Sequence, residues 1–239
     1  MNMNSVLRFE PKSLWRDPLL PWIFGAVMVM PWLLRFGFPV IDEALVEQLG
    51  FSLAQHSQLI ASLLPLVNPL LVGTIFGLLL LDQKDEGSLS GIQVTPIGLT
   101  GYLKQKLAVP MILTAFFNLV GLPASGLADL TWHSWLLGST ATLTLAPLTA
   151  LVMVVFAENK VQGLAITKAI GAILMLPLAA YFLPPIWQWG FAIFPTFLPT
   201  RLLWNPLDSI WLQLSCWLTA HFYIFALLAW LLNKLTKES

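Results

Sequence analysis

The side chains best suited to proton transfer or metal binding are few: three histidines, one cysteine and twelve carboxylates in 239 residues. His56 and His133 fall in or beside polar loops, and His221 stands in a long apolar run with no acid near it in sequence. Asp129 and His133 form the nearest acid–base pair, and they carry the reading of a membrane enzyme acting on lipid. No HExxH, no GxSxG and no pair of carboxylates within an apolar run occurs. The single Cys216 cannot close an internal disulfide or a structural zinc site, and its apolar surroundings suit simple packing.

The other chemistry-bearing residues are amides and hydroxyls inside apolar runs: Asn68, Asn118, Thr140 and Thr144, with Gln213 and Thr219 as milder cases. Asn68, between Pro65 and Pro69, suits a bent helix lining a cavity. The same residues serve equally to hydrogen-bond neighbouring helices. A transporter driven by protons or sodium usually carries ionisable groups at mid-membrane, and these runs hold almost none. The chain also lacks a GxxxxGK[ST] phosphate loop. Energy for any work must therefore come from a partner.

These residues have to be positioned by elements that live in lipid. Hydrophobic residues make up 57% and charged residues 10% of the chain, with mean hydropathy +0.78. A soluble domain carries about a quarter charged residues to cover its surface, so this composition indicates an all-α membrane protein. Zero net charge gives no signal for nucleic acid. Spans of about 20 apolar residues are expected near 19–38, 59–81, 107–127, 135–157, 163–183 and 210–232, within one domain, 1–239. Residues 8–17 read as an amphipathic interfacial helix. An acidic loop with Asp42, Glu43 and Glu47 is expected after the first span. Residues 184–208, rich in aromatics and broken by Pro195, Pro199 and Pro206, are too irregular to face lipid and should sit at an interface or inside protein.

Counting cations orients the chain. Arg8, Lys12, Arg16, Lys84, Lys104, Lys106, Lys160, Lys168, Lys234 and Lys237 would share one side, and only Arg35 and Arg201 the other. The first side, with both termini, is expected to be cytoplasmic, which places the chain in the cell membrane.

The cytoplasmic segment between the second and third spans reads LDQKDEGSLSGIQVTPIGLTGYLKQK. Acid precedes Gly87 and Ser88, Leu89 and Ile92 follow at helical spacing, and Thr95–Pro96 ends the short helix. An ordinary polar loop is the plainer reading of these residues. The segment also resembles the first cytoplasmic loop of ABC-2 type transporter permeases: an acid, Gly-(Thr/Ser)-Leu, a helix ending in (Thr/Ser)-Pro, then a Tyr-Leu pair and Lys. Here these are Glu86, Gly87, Ser88, Leu89, Thr95, Pro96, Tyr102, Leu103 and Lys106. Asn159 to Gly163, continuing to Lys168, resembles the loop after the fourth span in the fluoroquinolone-export branch.

That resemblance implies a multi-pass permease subunit of an ATP-driven exporter, without catalytic residues of its own. Glu86, Gly87, Ser88, Leu89, Ile92, Thr95 and Pro96 would form the coupling helix that docks a separate ATP-binding subunit. Mg-ATP would be bound there, and no cofactor or metal in this chain. A second copy or a paralogous permease would complete a path near Asn68, Asn118, Thr140 and Thr144. The substrate would be amphipathic or hydrophobic: drug-like, lipid or peptide. The re-entrant helices of that family correspond to residues 184–208. A non-transporting sensor or assembly subunit is a further reading.

Overall fold

A computed structural model describes residues 19–93, 96, 98–127, 131–204 and 209–238. All regular structure among them is helical. The interfacial helix expected over 8–17 lies outside the described residues. In hydrocarbon every backbone amide and carbonyl must be satisfied within the chain, and an apolar helix does this by itself. Among the described residues six stretches are long and apolar enough to cross a membrane: Pro21–Leu49, Leu53–Asp85, Gly98–Ser125, Trp132–Phe156, Lys160–Phe182 and Ile210–Lys237.

The first crossing is a single helix, α1 (Leu19–Leu49). A 3-10 turn (Leu53–His56) and the short α2 (Ser57–Ala61) lead into α3 (Leu63–Asp85). The small helix α4 (Ser88–Gln93) connects α3 to α5 (Gly98–Ser125). The fourth crossing is divided into α6 (Trp132–Ala141) and α7 (Leu145–Phe156). The fifth begins as α8 (Lys160–Met175) and tightens to a 3-10 helix over Leu176–Phe182, where Pro177 breaks the α-helical ladder. Two short helices, α9 (Pro185–Gln188) and α10 (Phe197–Trp204), precede the last crossing, α11 (Ile210–Glu238).

The second and fourth crossings form the centre. Of the apolar window of each, 72% is buried, against 11% in the first and 28% in the last. The main core runs along them through Leu66, Phe76, Leu80, Leu145, Leu151 and Met153. Small residues permit this packing. A Cβ at Gly73 would lie 2.5 Å from the Ala146 carbonyl oxygen, and one at Gly77 2.5 Å from the Met153 sulfur. Two glycines four apart on one helix face are the pattern that lets membrane helices touch backbone to backbone.

One sequence expectation is corrected. The acidic loop after residue 38 is helix, since α1 continues to Leu49. At 1.5 Å per residue its 31 residues reach roughly 46 Å, well past a hydrocarbon core of about 30 Å. Charge does not stop a helix that has left lipid. The stop comes at Gly50, with φ 64°, whose N–H returns to the Val46 carbonyl. Asp42 then organises the turn that follows, accepting from the N–H of Leu53 (2.6 Å) and of Ala54 (3.1 Å).

The irregular segment before α11 is tied to its neighbours by polar side chains. Thr196 donates to the Leu174 carbonyl (2.8 Å), Tyr223 to that of Ile193 (2.7 Å), and the Trp204 indole to Ser62 (2.8 Å). Helix α10 is buried along its whole length. The Trp204–Ser62 bond fixes α10 at the start of α3, at the opposite end of that helix from α4.

Candidate functional site

Two regions gather the residues singled out from the sequence: a polar seam between α3, α5 and α6, and the hairpin around α4.

The seam originates in a proline. Pro147 has no N–H to offer the Leu143 carbonyl, and its ring crowds that group, so the fourth crossing cannot run straight through. The chain turns at Thr142–Thr144 instead. The Leu143 N–H bonds the Thr140 carbonyl, three residues back, and the Leu145 N–H bonds that of Thr142. This tightening releases the Ser139 carbonyl, the partner Leu143 would take in a regular helix. Asn118 meets the break from α5. Its Nδ2 donates to the Thr142 hydroxyl (2.8 Å) and to the freed Ser139 carbonyl (3.3 Å). Its Oδ1 accepts from Nδ2 of Asn68 on α3 (3.0 Å). Asn68, Asn118, Ser139 and Thr142 are fully buried. The amides therefore cross-link three spans and stitch an interrupted helix.

Thr140, singled out with them, points elsewhere: its hydroxyl bonds the Leu136 carbonyl and accepts from the Trp217 indole of α11 (2.9 Å). Thr144 is buried at the break, and its hydroxyl has no partner among the described residues; the same holds for Thr114 and Thr149 and for Oδ1 of Asn68. Ser139 and Thr142 were missed from the sequence. The signal for them was the cluster of hydroxyl residues Ser139, Thr140, Thr142 and Thr144, ending three residues before Pro147. A second proline is handled alike: Pro123 strands the Leu119 carbonyl, which takes the Trp135 indole N–H at 3.3 Å.

At the other end of α3 the chain reverses through Gly87 (φ 70°), a left-handed position that glycine adopts without strain. Glu86, Gly87 and Ser88 are exposed, as is Pro96, while Leu89 is buried and Ile92 half-buried against the main core. Thr95 lies outside the described residues. Leu89 shares that core with Leu99, Leu103 and Leu107 of α5, so α4 has a solvated corner on a packed base. Tyr102 donates to Gln83 (2.7 Å), joining α5 to α3. Lys84 reaches the Val154 and Ala157 carbonyls, both at 3.0 Å, at the C-terminus of α7, where the helix dipole favours a cation. Asp82 pairs with Lys160 (2.8 Å) at the start of α8. The Asn159–Gly163 segment is a helix cap: Asn159 accepts from the Gln162 N–H (3.0 Å), and Gln162 accepts from that of Glu158 (2.9 Å). The hairpin is thereby linked to α3, α5, α7 and α8 at once.

The histidines lie apart. His56 packs among Phe51, Tyr181 and Phe182. His133 meets the Thr131 hydroxyl (3.1 Å) and the Trp132 ring; Asp129 lies outside the described residues. His221 bonds the Trp217 carbonyl (2.9 Å) one turn before it.

The pattern of the family described as fluoroquinolones export permease protein Rv2686c-like matches residues 10–233. Two relatives, both from Mycobacterium tuberculosis, are similar over 205 residues at 28% identity, covering 84% of this chain and 81% of each of them. One is the fluoroquinolones export permease protein MT2760 of strain CDC 1551 / Oshkosh, the other fluoroquinolones export permease protein Rv2686c of strain ATCC 25618 / H37Rv. No solved structure matches the chain.

Proposed function

The chain belongs to the fluoroquinolones export permease family, a family of multi-pass transport permeases, and from that premise we propose that it is the membrane subunit of an ATP-driven exporter. A separate ATP-binding subunit docks on the α4 corner and hydrolyses Mg-ATP. Two permeases, identical or paralogous, enclose the path. Both termini and α4 face the cytoplasm, and the substrate is an amphipathic aromatic molecule of the kind that names the relatives.

The observation that carries this reading is the α4 corner itself, exposed at Glu86, Gly87 and Ser88 and anchored by buried Leu89. An isolated polar loop would absorb a push by bending. This corner sits on a packed core and on the Lys84 bonds to α7, so a displacement there is passed to both central crossings. The division of the fourth crossing supports the same reading. A helix interrupted in mid-membrane bends at its break more readily than a continuous one, and the Asn68–Asn118 pair lies at that point.

The test is to search the genes next to this one for a phosphate-loop ATPase and to co-express it with this chain. Wild type is expected to co-purify with that ATPase and to stimulate its hydrolysis. Glu86→Lys and Ser88→Arg should lose both properties while the permease melts as wild type does, because neither side chain is buried. Unchanged co-purification and stimulation in both variants would sink the docking assignment.

A further inference from the structure

Arg201 is the one cation on α10, and it is 9% exposed. Its Nε is buried with no hydrogen-bond partner, and among the described residues the guanidinium forms no ion pair. The other arginine expected on this side behaves differently: Arg35 is exposed and donates to the Ala124 carbonyl (3.2 Å). The elements packed against α10 are α2, α6, α11 and the two 3-10 helices at 176–182 and 189–193. Among the described residues they carry no Asp or Glu except Glu238, at the far end of α11; Asp208, between α10 and α11, and Asp129, before α6, lie outside the described residues. A guanidinium is always charged and offers five donors in a planar fork suited to a carboxylate or phosphate. A buried charge without a counter-charge is strongly unfavourable, and ionisable groups inside a membrane segment mark functional positions.

The face of α10 that carries Arg201 also carries aromatic residues. Phe197 and Trp204, four residues before and three after Arg201, lie on the same face of α10. Trp204 meets the Tyr181 ring edge-on at 5.7 Å. Cys216 of α11 lies within electrostatic reach of the guanidinium and packs into the same cluster. An aromatic cluster on the helix face that carries this cation, with no ion pair to it among the described residues, fits an aromatic acid rather than a neutral or cationic solute.

We propose that Arg201 is an oxyanion-binding residue that takes the carboxylate of an aromatic exported acid, at the end of the bundle opposite α4. This rests on the exporter reading for the identity of the ligand, but not for the site. The phosphate of an anionic lipid headgroup has the same chemistry and is the other source of the oxyanion.

The experiment uses the full chain in phosphatidylcholine nanodiscs and the fluorescence anisotropy of a fluorinated quinolone-3-carboxylic acid, with its methyl ester as neutral probe. The acid is expected to bind wild type on the order of tenfold or more tightly than Arg201→Gln. The ester should bind both alike, and Arg201→Lys should fall between. The ester arm needs no substitution, so a misfolded variant does not blunt the test. In a second arm, phosphatidylglycerol is added to the discs. If its binding depends on Arg201 and that of the acid does not, the oxyanion site stands with lipid as its source, and the substrate assignment fails without touching the docking of the ATPase. If acid and ester bind wild type equally and phosphatidylglycerol binds regardless of Arg201, the proposal is overturned. It is also overturned if Arg201→Gln only dissociates a pair of permeases, since the guanidinium then serves an interface.

Discussion

Adding one methyl group at Gly73 tests the central packing. A Cβ there falls 2.5 Å from the Ala146 carbonyl oxygen and 2.7 Å from the Thr149 Cβ, where ordinary contact begins at 3.4 Å. Backbone cannot rotate away, so α3 and α7 must separate by roughly 1 Å along their shared core. Overpacking of this kind costs about 1–3 kcal/mol. The usual helix-propensity gain from Gly to Ala offers little relief, because the helices of a membrane protein persist in the unfolded reference state. For a chain of this length the loss corresponds to a melting-temperature fall of roughly 5 °C. Gly25→Ala and Gly37→Ala are the controls: nothing lies within 4 Å of a Cβ at either site, and both should melt with wild type. Gly77→Ala should be milder than Gly73→Ala, because the obstruction is the flexible Met153 side chain. The assay is size-exclusion chromatography of detergent-solubilised protein after a series of heat steps. A Gly73→Ala variant as stable as wild type would refute the argument that backbone contact sets the distance between these helices.

Two further outcomes follow from the polar bonds. In a double-mutant cycle on melting temperature, Asn68→Leu and Asn118→Leu should be coupled by about 0.6–1.7 kcal/mol, with the double variant less impaired than the sum of the singles; strict additivity would mean that the amides do not bond. Lys84→Met should cost about 1–3 kcal/mol by leaving the Val154 and Ala157 carbonyls without their cation, and hydrogen exchange should accelerate at the end of α7. Exchange unchanged there would show that the lysine does not hold that end.

Composition alone determined the solvent this chain folds in, because apolar runs of spanning length leave a helix as the only way to satisfy the backbone. The six crossings, the short helix between the second and third, and the family itself were legible in local patterns: hydropathy, Gly87 and Pro96 as punctuation, and the Glu86–Leu89 motif. The ends of elements were less so. Charge at Asp42, Glu43 and Glu47 marked the exit of α1 from lipid, whereas the helix ended at Gly50, where backbone geometry changed.

Only the tertiary structure decided which polar residues meet. Asn68 and Asn118 are fifty residues apart, and nothing in their spacing says that they bond to each other and to a break in a third span. Thr140 and Thr142 stand two positions apart, about 200° around a helix, and so face opposite sides; packing decides that one meets α11 and the other α5. Arg201 and Arg35 were alike as two cations on one side. Their neighbours separate them: a helix-end carbonyl takes the Arg35 guanidinium, while Arg201 is enclosed by α10 and its neighbours without an ion pair among the described residues. Sequence sets the strength of each group's need for a partner, and packing determines whether the chain itself meets that need.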